Sequence, residues 1–186
     1  MENPLTRQEY FATVALCRDI FTKKLHDYGA SWRLLRIPSL TDQLLIKARR
    51  IRTLETSPTH MVEDGIPAEL TAIANYCVIG LIQWELPPVL EADLSEEQAV
   101  ALYDEKVLQT YTLMTGKNHD YGEAWRSMRL TSFTDLILTK LMRIKQLEDL
   151  QDAGGALVSE NIDANYADIL NYAIFALIRI GEADNE

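Results

Sequence analysis

The feature that most constrains this chain is that it repeats itself. The stretch Lys117-Asn118-His119-Asp120-Tyr121-Gly122-Glu123-Ala124-Trp125-Arg126 has an imperfect earlier copy, Lys24-Leu25-His26-Asp27-Tyr28-Gly29-Ala30-Ser31-Trp32-Arg33. The shift is 93 positions, from Lys24 to Lys117, and it continues through Arg36/Arg129, Thr41/Thr134, Asp42/Asp135, Lys47/Lys140, Arg50/Arg143 and Glu55/Glu148. After a three-residue insertion it becomes 96, from Asp64 to Glu160, and pairs Ile66/Ile162, Asn75/Asn171 and Tyr76/Tyr172. Identities in this order mark a tandem duplication, so the fold is built twice and packed against itself.

Each copy reads as helical. Phe11, Val14, Ala15, Ile20 and Phe21 recur at helix spacing between Gln8 and Leu25, as do Ala99, Val100, Leu102, Val107, Leu108 and Leu113 between Ser95 and Thr115. Gly29 and Gly122 suit helix ends that need positive φ. A short helical piece carries Trp32 or Trp125. Ser39 and Ser132 are expected N-caps of the next helix, with Asp42 and Asp135 placed to favour its dipole. That helix runs to about Leu54 or Leu150. After a polar loop, a last helix runs from near Ile66 to Glu85, or from near Glu160 to Ile180. No stretch alternates long enough to demand a strand. The expected fold is all-α: two tandem, pseudo-symmetric helical-bundle repeats, residues 1–86 and 95–186, joined by a linker at 87–94.

A net charge of −10 excludes general binding to a duplex nucleic-acid backbone, but leaves room for a small basic pocket. The start Met1-Glu2-Asn3-Pro4 lacks a secretory signal pattern, and no stretch reaches roughly 20 uninterrupted apolar residues. A cytoplasmic protein without a membrane span is expected. Cys17 and Cys77 fall within apolar helical patterns and are expected to be buried thiols.

Two lysines sit where lysines rarely do. With Asp135 as origin and about 100° per residue, Leu136, Ile144 and Leu147 define an inward stripe, and Lys140 falls inside it at about 140°. Lys47 has the same place relative to Asp42. A core-facing ammonium needs a carboxylate or a bound anion; the candidates are Asp120, Asp27 and Asp168. Arg143 and Arg50 lie on the stripe's edge.

Glu160, Asp163, Asp168, Asn171 and Tyr172 share one broad face of the last helix, which suits Mg²⁺ held by one or two carboxylates together with phosphate. Glu160 and Asp163 equally suit a helix N-terminus. The first copy has Asp64, Pro67 and Ala72 at the three acidic positions, and keeps only Asn75 and Tyr76. The acidic set therefore points to one active half, or to a composite site. No zinc-like spacing, phosphate loop or nucleophile elbow occurs.

Lys117-Asn118, Asp120-Tyr121-Gly122, Lys140-Leu141-Met142-Arg143-Ile144, Glu160-Asn161-Ile162-Asp163 and Asp168-Ile169-Leu170-Asn171-Tyr172 together resemble the nucleotide modification associated domain 1 family. The resemblance covers most of the second copy and, more loosely, the first. It implies association with enzymes that modify nucleotides. The helical layout is also similar to the all-α nucleoside triphosphate pyrophosphatases of the MazG and dimeric dUTPase type, which hold Mg²⁺ on acidic helices. Where those carry a Glu-Glu-x-x-Glu run, this chain has Asp135, Thr139, Lys140 and Arg143.

Two functions follow as expectations. In the first, the protein handles a nucleotide, with Mg²⁺-dependent phosphohydrolysis as its chemistry. Asp120, Lys140 and Asp168 are then the catalytic candidates. Lys117, His119, Tyr121, Trp125, Arg126, Arg143, Asn171 and Tyr172 contact substrate, and Glu160, Asp163 and Asp168 hold the metal. In the second, it is a non-catalytic helical binding or assembly module, an internal pseudo-dimer with the option of a homodimer, and its Lys–Asp pairs are structural.

Overall fold

The computed structural model describes residues 3–57, 65–152 and 161–183. Helices α1 (Pro4–Tyr28), α2 (Ile37–Thr56) and α3 (Ile66–Glu85) form the first repeat; α4 (Glu96–Tyr121), α5 (Leu130–Asp152) and α6 (Ile162–Ala183) form the second. A one-turn 3-10 helix follows α1 at Ser31–Leu34 and α4 at Ala124–Ser127. No strand occurs among the described residues, and the fold is all-α.

Local chemistry explains the boundaries. Asn3 caps α1 by accepting from the Leu5 N–H, and Pro4 supplies a fixed φ at the start. Ser95 and Gln98 form a reciprocal capping box on α4. Both α1 and α4 run on through the repeated His-Asp-Tyr and stop at Gly29 (φ 61°) and Gly122 (φ 60°). Two expectations need correction. Ser39 does not cap α2: the helix starts at Ile37 with Arg36 as its N-cap, because Pro38 sits in the first turn. By the same shift Ser132 lies inside α5, which begins at Leu130. Ala15, Ile20, Leu108 and Leu113 are exposed, and the inward stripes use tyrosines instead: Tyr10, Val14, Cys17 and Phe21 on α1, and Tyr103, Val107, Tyr111 and Met114 on α4. Cys17 and Cys77 are buried free thiols.

Helices α3 and α6 pack against each other at the centre, with α2 and α5 on one side and α1 and α4 on the other. At Gly80 helix α3 packs tightly on α6: a Cβ there would lie 2.7 Å from the Tyr166 ring. By length and composition α3 could cross a membrane, but 67% of its apolar window is buried inside the bundle.

The duplication appears as reciprocal bonds between repeats. Tyr10 of the first repeat donates to Asn171 of the second at 2.8 Å, and Tyr103 of the second donates to Asn75 of the first at 2.8 Å. Thr41 donates to Glu148 at 2.6 Å, and Thr134 to Glu55 at 2.6 Å. Asp42 pairs with Lys145 at 2.7 Å, and Asp135 with Arg52 at 3.5 Å. Every pair maps onto its counterpart by the sequence shift. The buried residues of both repeats form one continuous core.

Candidate functional site

In each repeat a lysine near the end of the first helix and a lysine on the second helix face the last helix. In the second repeat the set is closed. Lys117 Nζ of α4 lies 2.5 Å from Asp168 Oδ1, and Lys140 Nζ of α5 lies 2.9 Å from Asp168 Oδ2. One carboxylate thus ties three helices, with an ammonium on each oxygen. Asp168 is thus a candidate carboxylate that the structure brings to Lys140; Asp120 sits exposed near the end of α4. Beside the triad, Tyr172 has its phenol pKa raised by burial first and by the Asp168 charge second.

In the first repeat the equivalent place is open. Ala72 stands where Asp168 would be, and a cavity of about 690 Å³ lies there. That volume is within the usual range of small-molecule sites, roughly 300–1,000 Å³. Lys24 and Lys47, the counterparts of Lys117 and Lys140, both line it. Its apolar wall includes Phe21, Tyr28, Trp32 and Tyr76. Trp32 keeps a buried indole N–H with no acceptor, as does Trp125 in the other repeat. Lys47 Nζ lies 5.9 Å from the Tyr76 ring centroid.

The carboxylate of this half comes from Glu69, one turn earlier on α3. Glu69 is buried, bonds closely to Arg50 and reaches Lys47 at 3.4 Å. Lys24 forms no ion pair among the described residues, so two lysines and one carboxylate, Glu69, line this cavity. Asn75, on the wall, is held by Tyr103 and by the Cys17 carbonyl.

The other sequence-derived candidates divide into those near the triad and those elsewhere. Asn171 accepts from the buried Tyr10 hydroxyl. Trp125 is 5% exposed and stacks on Phe175 with centroids 4.3 Å apart and planes at 7°, so it belongs to the core. Arg126 lies over that indole and binds Glu9 at 2.5 Å, and Glu123 and Glu182 at 2.9 Å each. Burial works against the Glu123 carboxylate, but bonds from Thr6, Arg126 and Asn3 outweigh it and hold its pKa below the ordinary value. Tyr121 is 76% exposed, and Arg143 is half-buried with Gln146 at 3.5 Å. Asp163 keeps one buried carboxylate oxygen without a hydrogen-bond partner. Glu160, Asp64 and the His119 side chain lie outside the described residues. Among the described residues no three His, Cys, Asp or Glu side chains converge as a metal site. With an ammonium on each oxygen, Asp168 as arranged does not fit a Mg²⁺ ligand.

The model of the nucleotide modification associated domain 1 family matches residues 24–84 and, a second time, residues 117–180. The chain belongs to this family. Each match opens on the lysine near the end of its repeat's first helix, Lys24 or Lys117, and runs into the last helix of that repeat. The family unit therefore contains Lys47, Glu69 and Ala72 in one half, and Lys140, Asn165 and Asp168 in the other. No curated protein and no solved structure gives a significant match to the chain.

Reading position against position, the sequence missed Glu69 and the cavity. The signal was there: Glu69 and Ala72 are three apart on α3, as Asn165 and Asp168 are on α6, so both carboxylates lie on the face that meets the lysine.

Proposed function

We propose that this member of the nucleotide modification associated domain 1 family binds a nucleotide, and that its site is the cavity of the first repeat. The observation that carries this reading is the combination there of Lys24 and Lys47 with an aromatic wall that includes Tyr28, Trp32 and Tyr76. Phosphate needs fixed cations and a base needs a flat apolar surface. The family's description supports the same ligand class. Binding is tested by titrating nucleoside mono-, di- and triphosphates, with and without Mg²⁺, while following tryptophan fluorescence and heat. Saturable binding that is lost in Lys47→Ala is expected. An absence of binding by every nucleotide leaves the non-catalytic assembly module as the better account.

A second reading is Mg²⁺-dependent nucleoside triphosphate phosphohydrolysis in the second repeat, by similarity to the all-α pyrophosphatases. One observation favours it: the unpartnered buried oxygen of Asp163. It requires Asp168 to leave Lys117 and Lys140. Pyrophosphate or phosphate release from a triphosphate panel, abolished in Asp163→Asn, supports it; no turnover with Mg²⁺ or Mn²⁺ removes it.

A further inference from the structure

The two repeats offer an internal comparison. They share the cavity-facing lysine pair, and they differ in what lies between those lysines. In the second repeat the Asp168 carboxylate occupies both, one oxygen each. In the first, Ala72 withdraws that carboxylate and the space is a cavity. A carboxylate between two ammonium groups is the geometry of a bound anion, here supplied by the chain itself. We propose that Asp168 is a built-in occupant of the second site, and that the first site takes an external dianion, the phosphate of a phosphate monoester, between Lys24 and Lys47.

The lysine pair narrows the class. Among the described residues that line the first cavity, Lys24 and Lys47 meet one carboxylate, Glu69, which is shared with Arg50. A phosphate monoester carries about −1.5 to −2 near pH 7 and presents three acceptor oxygens, enough to meet both ammonium groups. A triphosphate carries more charge and is normally neutralised further by Mg²⁺, for which the described lining of this cavity offers only Glu69, already held by Arg50. The aromatic wall then takes the planar body of the ester.

This inference rests on the nucleotide-binding reading for the body of the ligand, but not for its phosphate. The test uses the full chain with adenosine 5′-monophosphate, adenosine and inorganic phosphate as probes, in calorimetry, and two reciprocal variants. Wild type is expected to bind one equivalent of the monophosphate, with adenosine at least tenfold weaker. Ala72→Asp, which installs the second repeat's carboxylate in the first, is expected to weaken the monophosphate at least tenfold. Asp168→Ala, which vacates the second site, is expected to raise the stoichiometry from one to two. If Ala72→Asp proves unfolded, the stoichiometry of Asp168→Ala decides alone.

Monophosphate binding that Ala72→Asp leaves unchanged, with no second equivalent in Asp168→Ala, overturns this inference and leaves the nucleotide reading standing. Inorganic phosphate binding with that variant dependence, but no gain from the adenosine body, supports the dianion site and removes the nucleotide reading. No binding by any probe removes both.

Discussion

Glu69 and Asp168 neutralise equivalent lysines from positions one helical turn apart in the repeat. Glu69 reaches Lys47 at 3.4 Å from α3, and Asp168 reaches Lys140 at 2.9 Å from α6. The aligned residues are Asn165 and Ala72, neither of which carries a charge. A helix returns to nearly the same face after three or four residues, so a carboxylate can move by a turn and still meet the same partner. The move has a spatial consequence: it closes one site and leaves a cavity in the other.

Asp168→Asn tests the closed half. The pair is partly exposed, with side-chain exposures of 23% for Lys140 and 18% for Asp168, so solvent screening limits its value. A loss of about 1 kcal/mol is expected. For a chain of this size that lowers Tm by about 2–4 °C. Thermal denaturation in low and high salt checks it, and the loss should shrink with salt.

The reciprocal tyrosines test the pseudo-symmetry. Tyr10→Phe strands the Asn171 acceptor, and Tyr103→Phe strands the acceptor of Asn75. Each is expected to cost about 1–3 kcal/mol, in similar measure, because the two bonds are buried and equivalent. Urea denaturation of the two variants gives the comparison. A large effect from one and none from the other contradicts the symmetric account.

Gly80→Ala tests the central packing. The added methyl would meet the Tyr166 ring at 2.7 Å, and that ring is fully buried with its hydroxyl bonded to Thr41. A destabilisation of about 1–3 kcal/mol is expected, since the ring cannot move without breaking that bond. The same change at the exposed Gly181, where nothing lies within reach of a Cβ, is the control.

Much of this arrangement was legible in the sequence, and the gaps have physical reasons. The duplication and the helical register placed Lys47 and Lys140 on inward faces, where they are. The glycine stops at Gly29 and Gly122 followed from the need for positive φ. The stripes of α1 and α4 were misjudged because Tyr10 and Tyr103 are core residues whose hydroxyls find asparagines in the other repeat, a fact no local pattern contains. Trp125 and Arg126 read as ligand groups from their types, but Phe175 stacks on the one, and Glu9, Glu182 and the neighbouring Glu123 bind the other. The cavity was hidden because it depends on an alanine: the missing acidic residue at Ala72 pointed to one active half or a composite site, whereas in three dimensions it makes room.

Glu148 gives a pH prediction. Burial, the largest cause, raises its carboxyl above the ordinary value of 4.5, and the Thr41 bond only partly opposes this. A carboxyl raised on folding contributes stability that is present below its ordinary value and lost as pH rises through its folded value. Glu148→Gln removes that loss and keeps an acceptor for Thr41. The variant is expected to match wild type in Tm below pH 4.5 and to become the more stable of the two as pH rises above it. Parallel melts across pH check it; a gap that widens towards acid contradicts it.

The central claim is that the first repeat, not the second, holds the ligand site. The most direct measurement is calorimetric titration of a nucleoside monophosphate into Lys24→Ala and into Lys117→Ala, side by side with wild type. Lys24→Ala is expected to weaken binding at least tenfold, and Lys117→Ala to leave it within twofold. Equal effects of the two variants, or a loss confined to Lys117→Ala, would contradict the account.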